Sequence, residues 1–247
     1  MIERLAIIVN THSSCSDLWK IFFTEFEKFF PNQKIYVFSD ENNGLPTNVI
    51  PIIYSNEDSY RTQYLNCIMH VEEEYCLTLN EDYILYDYVS VDKIIRCIDF
   101  LDNNKSFSFT RLTKGIEYGE PEISPNFYEM NNKNMWFFSQ VATIWRTLDL
   151  KMVHEYCPES GMAFKVAGPQ LELVANDVCR YLNLKGTFYY EGEVKRGQSH
   201  YDSNIFPYIA TACIKGKWNL LEYEKELQPL LDTYNVDKNI RGIYEGI

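Results

Sequence analysis

The sequence lacks a cysteine pair of the Cys-x-x-Cys type, an excess of cations and an apolar run long enough to cross a bilayer, and each lack removes a class of function. Its seven cysteines, Cys15, Cys67, Cys76, Cys97, Cys157, Cys179 and Cys213, are scattered and odd in number. That pattern fits reduced thiols packed as small hydrophobes, in a reducing cytoplasm, better than a disulfide scaffold or a zinc ribbon. With 23 Lys and Arg against 35 Asp and Glu, the net charge is −12. Duplex binding draws its affinity from cations that displace phosphate counterions, so a nucleic-acid partner is not expected. Met1 leads directly into the strand-like Leu5–Val9 without a cationic leader, so neither secretion nor a membrane span is expected. Internal repeats and low-complexity linkers are also absent.

What is present is an ordinary globular composition, 46% hydrophobic and 23% charged, over a length that fits one large α/β domain. Aromatics are abundant, with 19 tyrosines; these suit a groove handling sugars or bases, although AT-rich codon usage explains them equally well.

The patterning alternates. Leu5–Val9 is a continuous apolar run that ends in the polar Asn10–Ser14, the mark of a strand buried on both faces. Asp17 opens a segment with Leu18, Ile21, Phe22, Phe26, Phe29 and Phe30 at helical spacing, stopped by Pro31-Asn32. Strands are expected at Lys34–Ser39, Val49–Tyr54, Tyr75–Leu79, Ser106–Arg111 and Thr187–Tyr190, and helices at Ser59–Glu73 and Ser90–Leu101. A further helix should follow Gly168-Pro169, since proline fits a first turn. Gly115–Asn134 reads as a long loop of the kind that forms lids. A short helix is expected near Pro207–Ile214, within a helical C-terminal tail. The expected fold class is therefore α/β, a Rossmann-like, mixed but mainly parallel sheet flanked by helices, in a single domain over 1–247. Ligands of such sheets collect outside the carboxyl ends of the strands, which brings Thr11–Asp17, Asp40 and Asn80–Tyr83 together.

Glu81-Asp82 directly follows a buried strand, with Asn80 adjacent as another oxygen donor. Adjacent carboxylates at a strand end can hold Mg²⁺ or Mn²⁺ and so neutralise a diphosphate leaving group; alternatively, they cap a turn and the next helix.

The order of strand, loop with Asp17, strand ending in Ser39-Asp40, helix carrying Arg61 and strand ending in Asn80-Glu81-Asp82 resembles the nucleotide-sugar-binding half of GT-A fold glycosyltransferases. Phe138-Ser139-Gln140-Val141-Ala142-Thr143-Ile144-Trp145 resembles the Gln-x-x-x-x-Trp segment of bacterial and viral polysaccharide transferases, and Gly168-Pro169-Gln170-Leu171-Glu172 an acceptor-side motif ending in an acid at a helix start. The likeness spans Ile2 to Arg196. It implies a donor half (1–112), an acceptor half (113–195) and a C-terminal loop with helices (196–247).

The resemblance further implies a nucleotide-sugar donor such as a UDP-sugar, a glycan or glycoside acceptor, and a role in polysaccharide biosynthesis. Donor contacts fall on Thr11, His12, Asp17, Asp40, Arg61, Asn80, Glu81 and Asp82, and acceptor contacts on Gln140 and Trp145. A Mn²⁺ or Mg²⁺ ion would sit on Asp82, its shell completed by His200. Because this chain has Asn80-Glu81-Asp82-Tyr83 where many relatives carry two aspartates separated by one residue, Lys195 or Arg196 are alternative partners for the departing phosphate. An inverting transfer needs a carboxylate base, expected at Glu172, with Glu159 as the alternative. His70 and His154 read as structural. Two other functions remain open: a sugar-phosphate nucleotidyltransferase, disfavoured because Asn10–Cys15 contains neither glycine nor cation, and a non-catalytic glycan-binding protein using Trp19, Trp136, Trp145 or Trp218.

Overall fold

The computed structural model describes residues 1–115, 120–158, 168–197 and 200–246, with the backbone alone for 168–170. The first strand, β1 (Leu5–Asn10), is buried along its whole length, which is why it is apolar at every position before its last. Side chains alternate across it. Leu5, Ile7 and Val9 enter one core layer and Ala6 and Ile8 the other.

Helix α1 (Ser16–Phe29) buries Leu18, Ile21, Phe22 and Phe26 in the first layer. Then come β2 (Lys34–Ser39), β3 (Ile50–Ile53) and α2 (Tyr60–Ile68), whose N-terminus is capped by the Ser59 side chain accepting from the Thr62 amide. Helix α2 packs Tyr60, Tyr64 and Ile68 into the second layer. Strand β4 (Tyr75–Asn80) lies beside β1 in parallel, with Val9 opposite Leu79 and Asn10 opposite Asn80.

The chain continues through β5 (Ile84–Leu85), α3 (Val91–Asn103), β6 (Phe107–Arg111), β7 (Glu122–Ser124), β8 (Phe127–Glu129), β9 (Thr143–Arg146), α4 (Thr147–Tyr156), α5 (Gly168–Tyr181) and β10 (Lys185–Tyr189). The principal sheet has nine strands in the order β3-β2-β1-β4-β9-β6-β10-β8-β7. The pairs β1–β2, β2–β3, β1–β4 and β6–β10 are parallel, while β9 runs antiparallel between β4 and β6. This is the mixed, mainly parallel, helix-flanked sheet that the alternation predicts. In β10, a side chain at Gly186 would come within 2.0 Å of the Phe109 ring, which itself packs on Trp145 at 4.3 Å. Only glycine lets β10 approach β6 this closely.

Two expectations are corrected. Part of the supposed loop Gly115–Asn134 is a hairpin, β7 and β8, which turns at Asn126 with φ 70° and extends the sheet edge. The segment expected as a helix near Pro207–Ile214 is instead extended, as β13 (Tyr208–Ile209), paired with β5, and β14 (Cys213–Ile214), paired with β15 (Lys217–Trp218). Its backbone pairs with β5, more than a hundred residues earlier, and with the adjacent β15, and two-residue strands leave no periodicity to set against the helical spacing. Between β10 and β13 lies the small pair β11 (Lys195–Arg196) and β12 (His200–Tyr201). The chain ends with α6 (Leu220–Thr233) and α7 (Lys238–Arg241). Among the described residues, no helix is long and apolar enough to cross a membrane.

Candidate functional site

The carboxyl ends of β1, β4 and β6 and the segment leading into β9 surround two adjoining cavities. The larger is about 360 Å³ and is lined by Asn80, Tyr83, Arg111, Thr113, Gly115, Trp136, Ser139, Gln140, Val141, Glu172, His200, Ala210 and Thr211. The smaller, about 30 Å³, shares Asn80, Tyr83, Ser139 and Gln140 and reaches back to Trp145 and His154. Both lie where an open α/β sheet binds ligands.

A single turn decides which residues of the β4 end face this space. The Tyr83 amide donates to the Asn80 carbonyl at 3.1 Å, so Glu81 and Asp82 form the corners of a four-residue turn. Its two ends, Asn80 and Tyr83, line both cavities, and the two acids line neither. Glu81 turns toward the β1 loop, where Thr11 and Cys15 hydrogen-bond to it. Thr11 in turn accepts the Trp19 indole N–H at 2.8 Å. Asp82 turns the other way and accepts the Cys213 amide. Burial pushes both carboxyls above their ordinary range, the Glu81 charge raises Asp82 further, and Arg241 only partly offsets this.

The end of β2 holds a different kind of acid. Asp40 accepts the Ser13 amide and hydroxyl, each at 2.7 Å, and the Asn56 amide at 3.1 Å, with His12 Nε2 at 3.4 Å. Burial opposes its charge, but these hydrogen bonds prevail and lower it to about 2. Thr11, His12 and Asp40 therefore form one fixed polar cluster at the ends of β1 and β2, anchored further by the Tyr54 hydroxyl donating to the Thr11 carbonyl at 2.7 Å.

On the opposite side, Glu172 in the first turns of α5 accepts the Gln140 amide at 2.7 Å and the Ser139 hydroxyl at 3.1 Å. The Gln140 side chain donates to the Tyr60 hydroxyl at 2.9 Å, and Asn10 at the end of β1 donates to the same oxygen at 3.0 Å. A continuous polar chain thus joins the end of β1 to Glu172. Asn176, one turn further along α5, accepts the Phe138 amide at 2.7 Å and fixes the same segment.

Several residues expected at the site are engaged elsewhere. Asp17 is held bidentate by Arg241 at 2.5 Å. Arg61 donates to the His154 and Glu155 carbonyls at the end of α4, a helix-terminus role that suits its position on α2. Arg196 is bound by Asp202 at 2.8 Å and by Glu226, so its charge is spent within the C-terminal layer, and Lys195 is exposed on β11. Trp145 is buried between Phe109 and Phe138 and forms the back wall of the smaller cavity. Glu159 lies outside the described residues. His154 is buried and stacked on Tyr64 at 4.0 Å, and burial lowers its pKa to about 3.

The donor set does not suit a divalent cation. His200 borders the larger cavity, but its Nε2 is hydrogen-bonded to the Tyr223 hydroxyl and so is engaged within the protein. Asp82 accepts the Cys213 amide and lines neither cavity, whereas a Mg²⁺ or Mn²⁺ ligand must turn its carboxylate toward the ion. Among the described residues, no three His, Cys, Asp or Glu side chains converge as a metal-holding group.

Arg111 is a component that sequence reasoning missed. It is 3% exposed, lines the larger cavity and donates to the Trp136 and Phe137 carbonyls at 2.6 and 3.3 Å. Its signal was a cation closing the strand Phe-Ser-Phe-Thr-Arg, at the end where ligands bind. Thr113 and Thr211, which also line the larger cavity, carry no comparable signal.

No protein-family model matches the sequence, and no curated protein matches it. Solved structures do share the fold. S. aureus TarS 1–349 in complex with UDP-GlcNAc superposes with a TM-score of 0.50 at 16% identity, over 98% of this chain and 68% of that one. The same fragment in complex with UDP gives 0.50 at 18% identity, over 80% and 60%; this chain thus spans about 60% of its length. A cytidylyltransferase from Leptospira borgpetersenii serovar Hardjo-bovis gives 0.51 at 13% identity, over 99% of both chains. The fold is therefore GT-A-like, a Rossmann-like architecture that TarS and the cytidylyltransferase also have.

Proposed function

We propose that this chain is a nucleotide-sugar-dependent glycosyltransferase that moves a sugar from a nucleoside diphosphate to a hydroxyl acceptor. The observation that carries the reading is Glu172, a carboxylate pinned by the Gln140 amide and Ser139 hydroxyl on the wall of a cavity that Arg111 also lines. A base and a buried cation bordering one space suit a reaction that removes a proton from one oxygen while negative charge develops on another.

In this reading the donor's base and ribose lie against His12 and Asp40, with the fully buried Thr11 supporting them from behind, and its diphosphate extends past Asn80 toward Arg111. Glu81 and Asp82 act from behind the turn, holding Asn80 and Tyr83 in place. Glu172 takes the proton of the acceptor hydroxyl as its oxygen attacks the anomeric carbon from the face opposite the diphosphate. The carbon–oxygen bond to phosphate breaks, its electron pair leaves with the nucleoside diphosphate, and the Arg111 guanidinium stabilises that charge. The product has inverted configuration. The fold shared with TarS, solved with UDP and with UDP-GlcNAc, supports a UDP-sugar as the first donor to test.

The full-length likeness to a cytidylyltransferase favours a second reading, transfer of a nucleotide onto a sugar phosphate. Against it, Asn10–Cys15 offers neither the glycine nor the cation that usually grips a triphosphate. The products separate the two. Chromatography of mixtures with nucleotide sugars should show slow release of nucleoside diphosphate. Pyrophosphate from a nucleoside triphosphate plus a sugar phosphate would overturn the first reading in favour of the second.

A further inference from the structure

The four tryptophans differ sharply in their surroundings. Trp19, Trp145 and Trp218 are each at most 2% exposed, and all three are covered: Trp19 donates to Thr11, Trp145 lies against Phe109 and Phe138, and Arg241 sits over Trp218. Trp136 is only half-buried, lines the larger cavity, and among the described residues no aromatic ring stacks on it.

Its backbone is nevertheless held fast. The Trp136 amide donates to Asn134 Oδ1 at 2.9 Å, and its carbonyl accepts from Arg111 at 2.6 Å. Asn176 fastens both flanks, donating to the Met135 carbonyl and accepting the Phe138 amide. A large apolar ring on an immobilised backbone, in the wall of a cavity, loses little conformational entropy when it is covered.

We infer that Trp136 is the platform of an acceptor subsite and that the acceptor is a pyranoside, whose apolar C–H face rests on the indole while one of its hydroxyls reaches Glu172. This rests on the glycosyltransferase reading and narrows it, since an acceptor lacking a sugar face gains nothing from the platform. A pyranose ring has one face of C–H bonds and a rim of hydroxyls. The C–H face matches the electron-rich indole, and the rim matches the polar side of the same cavity, formed by Ser139, Gln140 and Glu172. About 360 Å³ accommodates one such ring beside a donor sugar, rather than an extended glycan.

The test uses methyl glycosides of glucose, galactose, mannose and N-acetylglucosamine as probes, with isothermal titration calorimetry as the readout. At least one glycoside should bind the wild-type protein saturably, and Trp136→Ala should weaken that binding about tenfold or abolish it, while Trp136→Phe keeps the affinity within a few-fold. In the transfer assay Trp136→Ala should raise the KM for that glycoside about tenfold, with a smaller effect on kcat. Absence of saturable binding to the wild-type protein, or unchanged acceptor KM in Trp136→Ala, would overturn the inference. Donor hydrolysis by the wild type without acceptor reports on the glycosyltransferase reading separately. Hydrolysis without glycoside binding refutes the platform alone, and glycoside binding without any donor turnover refutes the transferase.

Discussion

The Gln140 amide donates to the Glu172 carboxylate at 2.7 Å, tying the segment before β9 to the start of α5. The same glutamine reaches the Tyr60 hydroxyl with its side chain, so one residue orients the candidate base and touches the chain that leads to the end of β1.

Glu172→Gln keeps an oxygen that can accept from Gln140 and Ser139 and removes only the basicity. Its melting temperature should stay within about 4 °C of wild type. Transfer should fall about 10²- to 10⁴-fold, the usual range for loss of a general base. Steady-state kinetics at saturating donor would check this, and wild-type turnover would exclude Glu172 as the base.

Arg111→Met replaces a buried guanidinium with an apolar chain of similar reach and strands the Trp136 and Phe137 carbonyls. The expected loss is roughly 1–3 kcal/mol of stability, from acceptors left without donors. Nucleoside diphosphate affinity should fall in the same variant, and Arg111→Lys should recover part of it. Chemical denaturation and calorimetry would measure the two effects separately.

The Glu81–Asp82 pair makes stability depend on pH. Both carboxyls are pushed upward by burial, and Asp82 further by Glu81, so the folded state holds protons that the unfolded chain has already released. An acid with a raised folded pKa favours folding at low pH and loses that contribution as pH rises from its ordinary range toward the folded value. Asp82→Asn should therefore stabilise the protein at alkaline pH and flatten the pH dependence of its melting temperature. An unchanged slope would contradict the assignment.

Asp17 and Arg241, 224 residues apart in sequence, join α1 to the C-terminal α7. Asp17 is about half exposed, so a double-mutant cycle of Asp17→Asn and Arg241→Gln should give a coupling of only about 0.5–1 kcal/mol, which shrinks with added salt. A coupling near zero at low salt would show that the C-terminal segment is held by Trp218 and its neighbours instead.

The parts of this molecule that can be read from sequence are those where burial dictates composition. β1 and β4 show themselves as apolar runs because they are covered on both faces, and α1 shows its inward stripe of Leu18, Ile21, Phe22 and Phe26. The short strands after β10 do not, because two residues carry no period, and the partner of β13, strand β5, lies far away in the chain. At the site, sequence located the β4 end but could not say which of its residues face the cavity. The hydrogen bond closing the Asn80–Tyr83 turn sends the acids away and the amide and phenol inward. Likewise Arg196 reads as an available cation until Asp202 and Glu226 are found around it, while Arg111 looks like an ordinary strand terminus.

The most direct test follows the phosphorus atoms. With a UDP-sugar, a methyl glycoside and wild-type protein, ³¹P spectroscopy should show the sugar-linked diphosphate converting to free nucleoside diphosphate as a glycoside product accumulates, and Glu172→Gln should leave the donor signals nearly unchanged over the same time. Intact donor in the wild-type sample across a panel of nucleotide sugars and glycosides, with no nucleotide bound at the carboxyl ends of β1, β4 and β6, would contradict the account.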